Sequence, residues 1–82
     1  MLRNPKQIIL RGELSMVVTL DSLYPDPKEN LDLLEHLYNI SEQQGTTFVL
    51  KLDKREYIFP RSMEREKRIQ HFKHIIEKHK PP

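Results

Sequence analysis

The sequence predicts a two-layer α/β sandwich, in which a three- or four-stranded mixed sheet carries two helices on one face in the order strand (or hairpin), helix, strand, strand, helix. Three observations carry that expectation. Every even position but Gly12 is apolar from Ile8 to Leu20, the alternation of a half-buried strand. A helical pattern follows from Asp26 to Gly45 with a start and a stop signal of its own. Strand alternation then resumes from Thr46 to Phe59, and a second helical pattern closes the chain.

With 82 residues the chain makes one domain, residues 1–82, near the size at which a single core just suffices. It has no cysteine, which excludes disulfide staples, thiolate metal sites and thiol catalysis. The apolar runs after Arg3 and Lys6 are short and interrupted, so neither a secretory nor a membrane segment is expected and a cytoplasmic location is. Charge is unevenly placed. Residues 1–50 hold four basic and seven acidic side chains, residues 51–82 ten basic and five acidic, so a net −3 half precedes a net +5 half.

The first alternating run, Gln7 to Leu20, is long for one strand, and Gly12 offers a bulge, a bend or a turn. A three-residue loop at Arg11, Gly12 and Glu13 would pair Leu10 with Leu14 and Ile8 with Met16, keeping one apolar face. Ile9 and Val17 then fall on the other face, as ordinary β-branched strand residues or as a contact patch for a second chain. Asp21 to Pro25 leaves the sheet as a loop, where Tyr24 is either a plug over the core or an exposed anchor.

The central helix is punctuated at both ends. Asp26 can cap free N–H groups, Pro27 lacks only an N–H that would have no partner, and Glu29 is placed to close a capping box. Leu31, Leu33, Leu34, Leu37, Tyr38 and Ile40 share one half of the wheel; Asp32, Glu35, His36, Asn39, Glu42 and Gln43 share the other. On this pattern Leu37→Ala should be costly and Glu35→Ala nearly neutral. Gly45 ends the helix in the left-handed conformation.

Thr46 to Asp53 and Glu56 to Phe59 read as a hairpin joined at Lys54-Arg55, with Leu52 facing Tyr57 and Leu50 facing Phe59. Its turn lacks the Asn-Gly or Asp-Gly pair that hairpins favour. Pro60 ends it. Ser62 is the expected cap of a last helix reaching about Lys80, with Ile69, Phe72, Ile75 and Ile76 as a narrow apolar side flanked by the stems of Arg65 and Arg68.

The most suggestive functional feature is Lys67, His71, His74 and Lys78, which repeat at helical spacing along one ridge of the last helix. Together with Arg55 and Arg61 they are the candidate residues for a partner or a nucleic acid, able to meet phosphates or an acidic protein surface. The competing reading is a solvated face that neighbouring glutamates partly neutralise. Phe48, Phe59 and Phe72 fall at core positions and leave few platforms for stacking bases. His71 and His74 are spaced to share a metal, with Glu77 or His36 as a third ligand, but the nearby lysines repel a cation, so no metal and no other cofactor is expected. No nucleophile with its base, carboxylate pair or glycine-rich phosphate loop is present.

The expected function is therefore a small, non-catalytic interaction or accessory protein with a protein partner, or a homodimer formed through a sheet edge or the outer sheet face. The alternative is nucleic-acid binding by the basic helix face, with histidine charge strengthening it below about pH 6.5. Neither a membrane nor a small-molecule ligand is predicted.

Overall fold

The first apolar run folds as two strands. The computed structural model describes the backbone of residues 7–11 and residues 15–80 in full, with β1 at Gln7–Arg11, β2 at Ser15–Leu20, α1 at Pro27–Gln43, β3 at Thr47–Leu52, β4 at Arg55–Phe59 and α2 at Arg65–Lys78. Gly12 and the turn expected around it lie outside the described residues, as do Pro81 and Pro82. The sheet order is β1-β2-β3-β4. β1 and β2 are antiparallel, β2 and β3 parallel neighbours joined across α1, and β3 and β4 antiparallel.

Both hairpins depart from their expected register by two residues. Leu10 pairs with Met16 and Ile8 with Val18, rather than with Leu14 and Met16. Leu50 pairs with Tyr57 and Phe48 with Phe59, so the second turn is Asp53-Lys54, one residue before the expected Lys54-Arg55. Asp53 and Lys54 both have positive φ, 51° and 65°, as a two-residue turn between right-twisted strands requires. The early turn sets Phe48 against Phe59, whose rings stack at 5.4 Å. An even shift leaves every side chain on its face, so the apolar faces survive the change of partner.

Both helices cover one face. Met16, Val18 and Leu20 of β2, Phe48, Leu50 and Leu52 of β3, and Phe59 of β4 are buried in one cluster with Leu33, Leu34, Leu37 and Tyr38 of α1 and Phe72, Ile75 and Ile76 of α2. Tyr24 packs against this cluster from the loop, the plug rather than the anchor, and buried Asn30 clamps it. Asn30 Oδ1 accepts the Tyr24 N–H at 2.7 Å, and Nδ2 donates to the Tyr24 carbonyl at 2.8 Å.

α1 begins and ends as its sequence dictates. Asp26 accepts the Lys28 N–H at 3.0 Å, although Glu29 makes no return bond to close a box. Gly45 at φ 71° donates to the Glu42 carbonyl while Thr46 donates to that of Ser41, both at 3.0 Å, the paired bonds of a left-handed helix stop. Ser41 and Thr46, both buried, exchange hydroxyl bonds beneath that stop.

α2 starts later than expected and is not capped by Ser62. Ser62 takes φ 60° in a turn, and Glu64 occupies the cap position without a side-chain bond. The turn answers to α1 instead: the Tyr38 hydroxyl accepts the Met63 N–H at 3.0 Å and donates to the Pro60 carbonyl at 3.2 Å. Ser62 at positive φ lies outside the right-handed helical region, so α2 starts only beyond this turn.

Candidate partner-binding edge

β4 is the last strand in the sheet order, so among the described residues no strand lies on one side of its backbone. In a hairpin closed by a two-residue turn, the residues flanking the turn exchange both hydrogen bonds and every second pair does so thereafter. Here those pairs are Leu52 with Arg55, Leu50 with Tyr57 and Phe48 with Phe59. It follows that Glu56 and Ile58 aim their N–H and C=O groups away from β3, toward the free side.

Side chains around this edge differ by face. On the outer face the register aligns Val17, Val49 and Ile58 across β2, β3 and β4. Val17 is 1% exposed and Val49 6%, whereas Ile58 is 56% exposed, the one large hydrophobic side chain left open among the described residues. Beside it Glu56 faces Lys51 at 3.8 Å, an exposed cross-strand pair of small energetic weight.

On the helix face α2 hangs over β4. The His71 ring lies 4.6 Å from that of Phe59 and 6.4 Å from that of Tyr57. Further along, His79 Nε2 meets the Tyr57 hydroxyl at 2.6 Å, which pins the end of α2 to the middle of β4. Burial holds His71 below the ordinary histidine range, and His74 beside it adds to the effect. His79 is lowered too, first by burial; Asp53 opposes the shift, while Arg55 and Lys78 reinforce it.

Of the six candidate residues, five belong to this side of the molecule. Lys67, His74 and Lys78 are exposed, and they share the α2 ridge with His71, the member that turns in against the β4 rings. Arg55 opens β4 and acts on the same histidine as Lys78, so the hairpin turn and the end of α2 lie together, with Asp53 adding a negative charge between them. Arg61 goes elsewhere. Its Nη1 donates to the Gly45 carbonyl at 2.9 Å and helps close α1.

Sequence reasoning missed the outward backbone groups of Glu56 and Ile58, because they depend on the register, and it missed Tyr57 with His79. The one signal for the latter is that His79 lies two helical turns beyond His71 on the same side. Among the described residues no group of three His, Asp or Glu side chains is arranged to hold a metal ion. A hollow of about 350 Å³ opens at the carboxyl ends of β2 and β3, lined by Asp21, Leu52, Asp53, Lys78 and His79 among others. A second, of about 390 Å³, lies between the start of α1 and the end of α2. The first is lined by both acidic and basic groups, and the second by Leu31 and Ile76 together with Lys28, Lys73 and Glu77. No helix among the described residues is long and apolar enough to cross a membrane. Compared with known protein families, curated proteins and solved structures, the chain has no match.

Proposed function

We propose that this protein is a small, non-catalytic cytoplasmic interaction module that docks a protein partner along β4. The observation that carries the proposal is the combination of a strand edge with no neighbour among the described residues and Ile58, 56% exposed, beside it. An edge strand is a template for another strand, and proteins that do not use one cover it, shorten it or charge it. β4 is short, with Glu56 as its only charge in mid-strand, and Ile58 supplies the side-chain contact that would make an added strand specific.

A second copy is the less favourable occupant. Pairing two β4 edges about a two-fold axis sets two α2 helices side by side, each with five basic and two acidic residues, so like charges meet. The expected partner is therefore a different chain, and sedimentation should find the protein alone monomeric through the micromolar range.

Peptide display tests the docking surface. Extended peptides selected on the wild-type protein should lose binding to Ile58→Pro, which removes one outward N–H from an edge position where proline is tolerated. Peptides that bind both proteins equally would overturn the proposal.

A second reading has an observation of its own, the exposed cations Lys67 and Lys78 on one side of α2 with Arg55 near its end, although Asp53 lies among them beside His79. It supports nucleic-acid binding through phosphates. Against it, Phe48, Phe59 and Phe72 are fully buried, Tyr38 is buried and Tyr57 is bonded to His79, so stacking aromatics do not accompany the charge.

A further inference from the structure

The two faces of β4 differ in chemistry, and a strand added to its edge would present alternate side chains to each. On the outer face the neighbour is Ile58; on the helix face it is α2, whose His71 packs on Phe59 and Tyr57 and whose exposed Lys67, His74 and Lys78 share the His71 side of the helix. An added strand lies about 4.8 Å beyond β4, which sets it under the outward side of α2 rather than under its core side. Lysine stems are long enough to bring their ammonium groups down to such a strand.

We infer that the segment recognised at β4 is an extended acidic one, in which Asp or Glu alternates with an apolar, preferably β-branched, residue. The inference rests on the docking proposal above and names the partner's chemistry. Glu56 and Ile58 offer two N–H and two C=O groups, enough to align four or five partner residues and to set which of them face the ridge. Acidic side chains on that side meet Lys67, Lys78 and Arg55, all exposed. Apolar ones on the other side cover Ile58. A basic or uncharged segment could make the same backbone bonds without the ridge.

Charge also separates this partner from the alternatives. The ridge disfavours a second copy of the chain, and a nucleic acid would use the lysines while leaving the outward N–H groups of Glu56 and Ile58 without acceptors on a partner strand. The backbone edge and the ridge lie side by side, and an acidic strand satisfies both.

Fluorescence anisotropy with the full 82-residue protein and labelled ten-residue peptides tests this, using alternating Glu-Val, the same pattern with Lys for Glu, and with Gln for Glu. The Glu-Val peptide should bind at least about tenfold more tightly than the Gln-Val peptide, with the Lys-Val peptide weakest. Replacing Lys67 and Lys78 together by Ala should cost the Glu-Val peptide about tenfold and flatten its salt dependence. On binding, the amides of Glu56 and Ile58 should gain protection from hydrogen exchange, a readout that needs no variant to fold.

The three failures are distinct. If all three peptides protect those amides with equal affinity, docking at β4 stands and the acidic preference is wrong. If none protects them, the docking proposal itself fails. If the Glu-Val peptide binds without protecting them, and a single-stranded oligonucleotide competes with it at equal charge, the ridge is a general polyanion site and the nucleic-acid reading replaces this one.

Discussion

Arg68 of α2 donates from Nε to Glu35 Oε2 of α1 at 3.1 Å, a pair whose side chains are only 11% and 22% exposed. The same guanidinium lies 4.4 Å from the centroid of the Tyr38 ring and donates from Nη1 to the Met63 carbonyl at 3.3 Å. The seam between the helices is thus partly polar. Glu35, expected on the solvent half of α1, faces α2 across the seam.

Leu37→Ala should still be the worse change in α1, by roughly 2 to 5 kcal/mol, because it empties volume in the buried face. Glu35→Ala should cost about 1 kcal/mol, since it leaves a largely buried guanidinium with the Met63 carbonyl but without its charged acceptor. Urea titrations of both variants check the ranking and the size of the smaller effect. No measurable effect of Glu35→Ala would show that the pair has no weight.

Tyr38→Phe isolates the hydroxyl. The ring would keep its edge contact with Phe72 and its place under Arg68, while the Met63 N–H and the Pro60 carbonyl would each lose a partner. A loss of about 1 to 2 kcal/mol is expected, with faster hydrogen exchange at the Met63 amide while the amides of β2 and β3 keep their relative protection. Unchanged exchange at Met63 would contradict the role assigned to the hydroxyl.

Lys54 is an exposed residue held at φ 65°, in a turn where glycine is the usual occupant. Lys54→Gly should stabilise the protein by about 1 kcal/mol by relieving the left-handed strain. Asp53 is left in place in this variant, because its charge acts on His79. A lower melting temperature for Lys54→Gly would show that the turn is not strained.

Acid should weaken the fold. His71 and His79 lie below the ordinary histidine range when folded, so the unfolded chain binds protons more readily than the folded one. Their contribution is fully present above about pH 6.5, the unfolded value, and is lost as pH falls through the lowered folded values. The urea midpoint should therefore drop between pH 7.5 and 5.5, and His71→Gln should make the drop shallower. A midpoint that is flat or rises on acidification would contradict the lowered histidine values. The same shift means that His71 adds charge to the ridge at lower pH than its sequence suggests.

Much of the fold was legible because its signals are local. Asp26 and Gly45 act within four residues of themselves, so α1 follows from its own sequence. Apolar alternation assigns each strand residue to a face, and a two-residue slip in either hairpin leaves that assignment intact. What alternation does not contain is the partner of each residue. In the second hairpin the stacking of Phe48 on Phe59 and a turn that tolerates positive φ at Asp53 and Lys54 accompany the observed pairing.

The candidate site divides along the same line. Helical spacing alone placed Lys67, His71, His74 and Lys78 on one ridge, because positions three and four apart share a side. That the ridge overhangs β4, that Arg61 is drawn to Gly45, and that Glu56 and Ile58 turn their backbone outward were decided by tertiary structure. Each depends on residues distant in the chain, such as Tyr57 with His79, 22 positions apart, or Arg61 with Gly45, 16 apart. Local periodicity determines which residues share a face, and only packing between elements decides what that face meets.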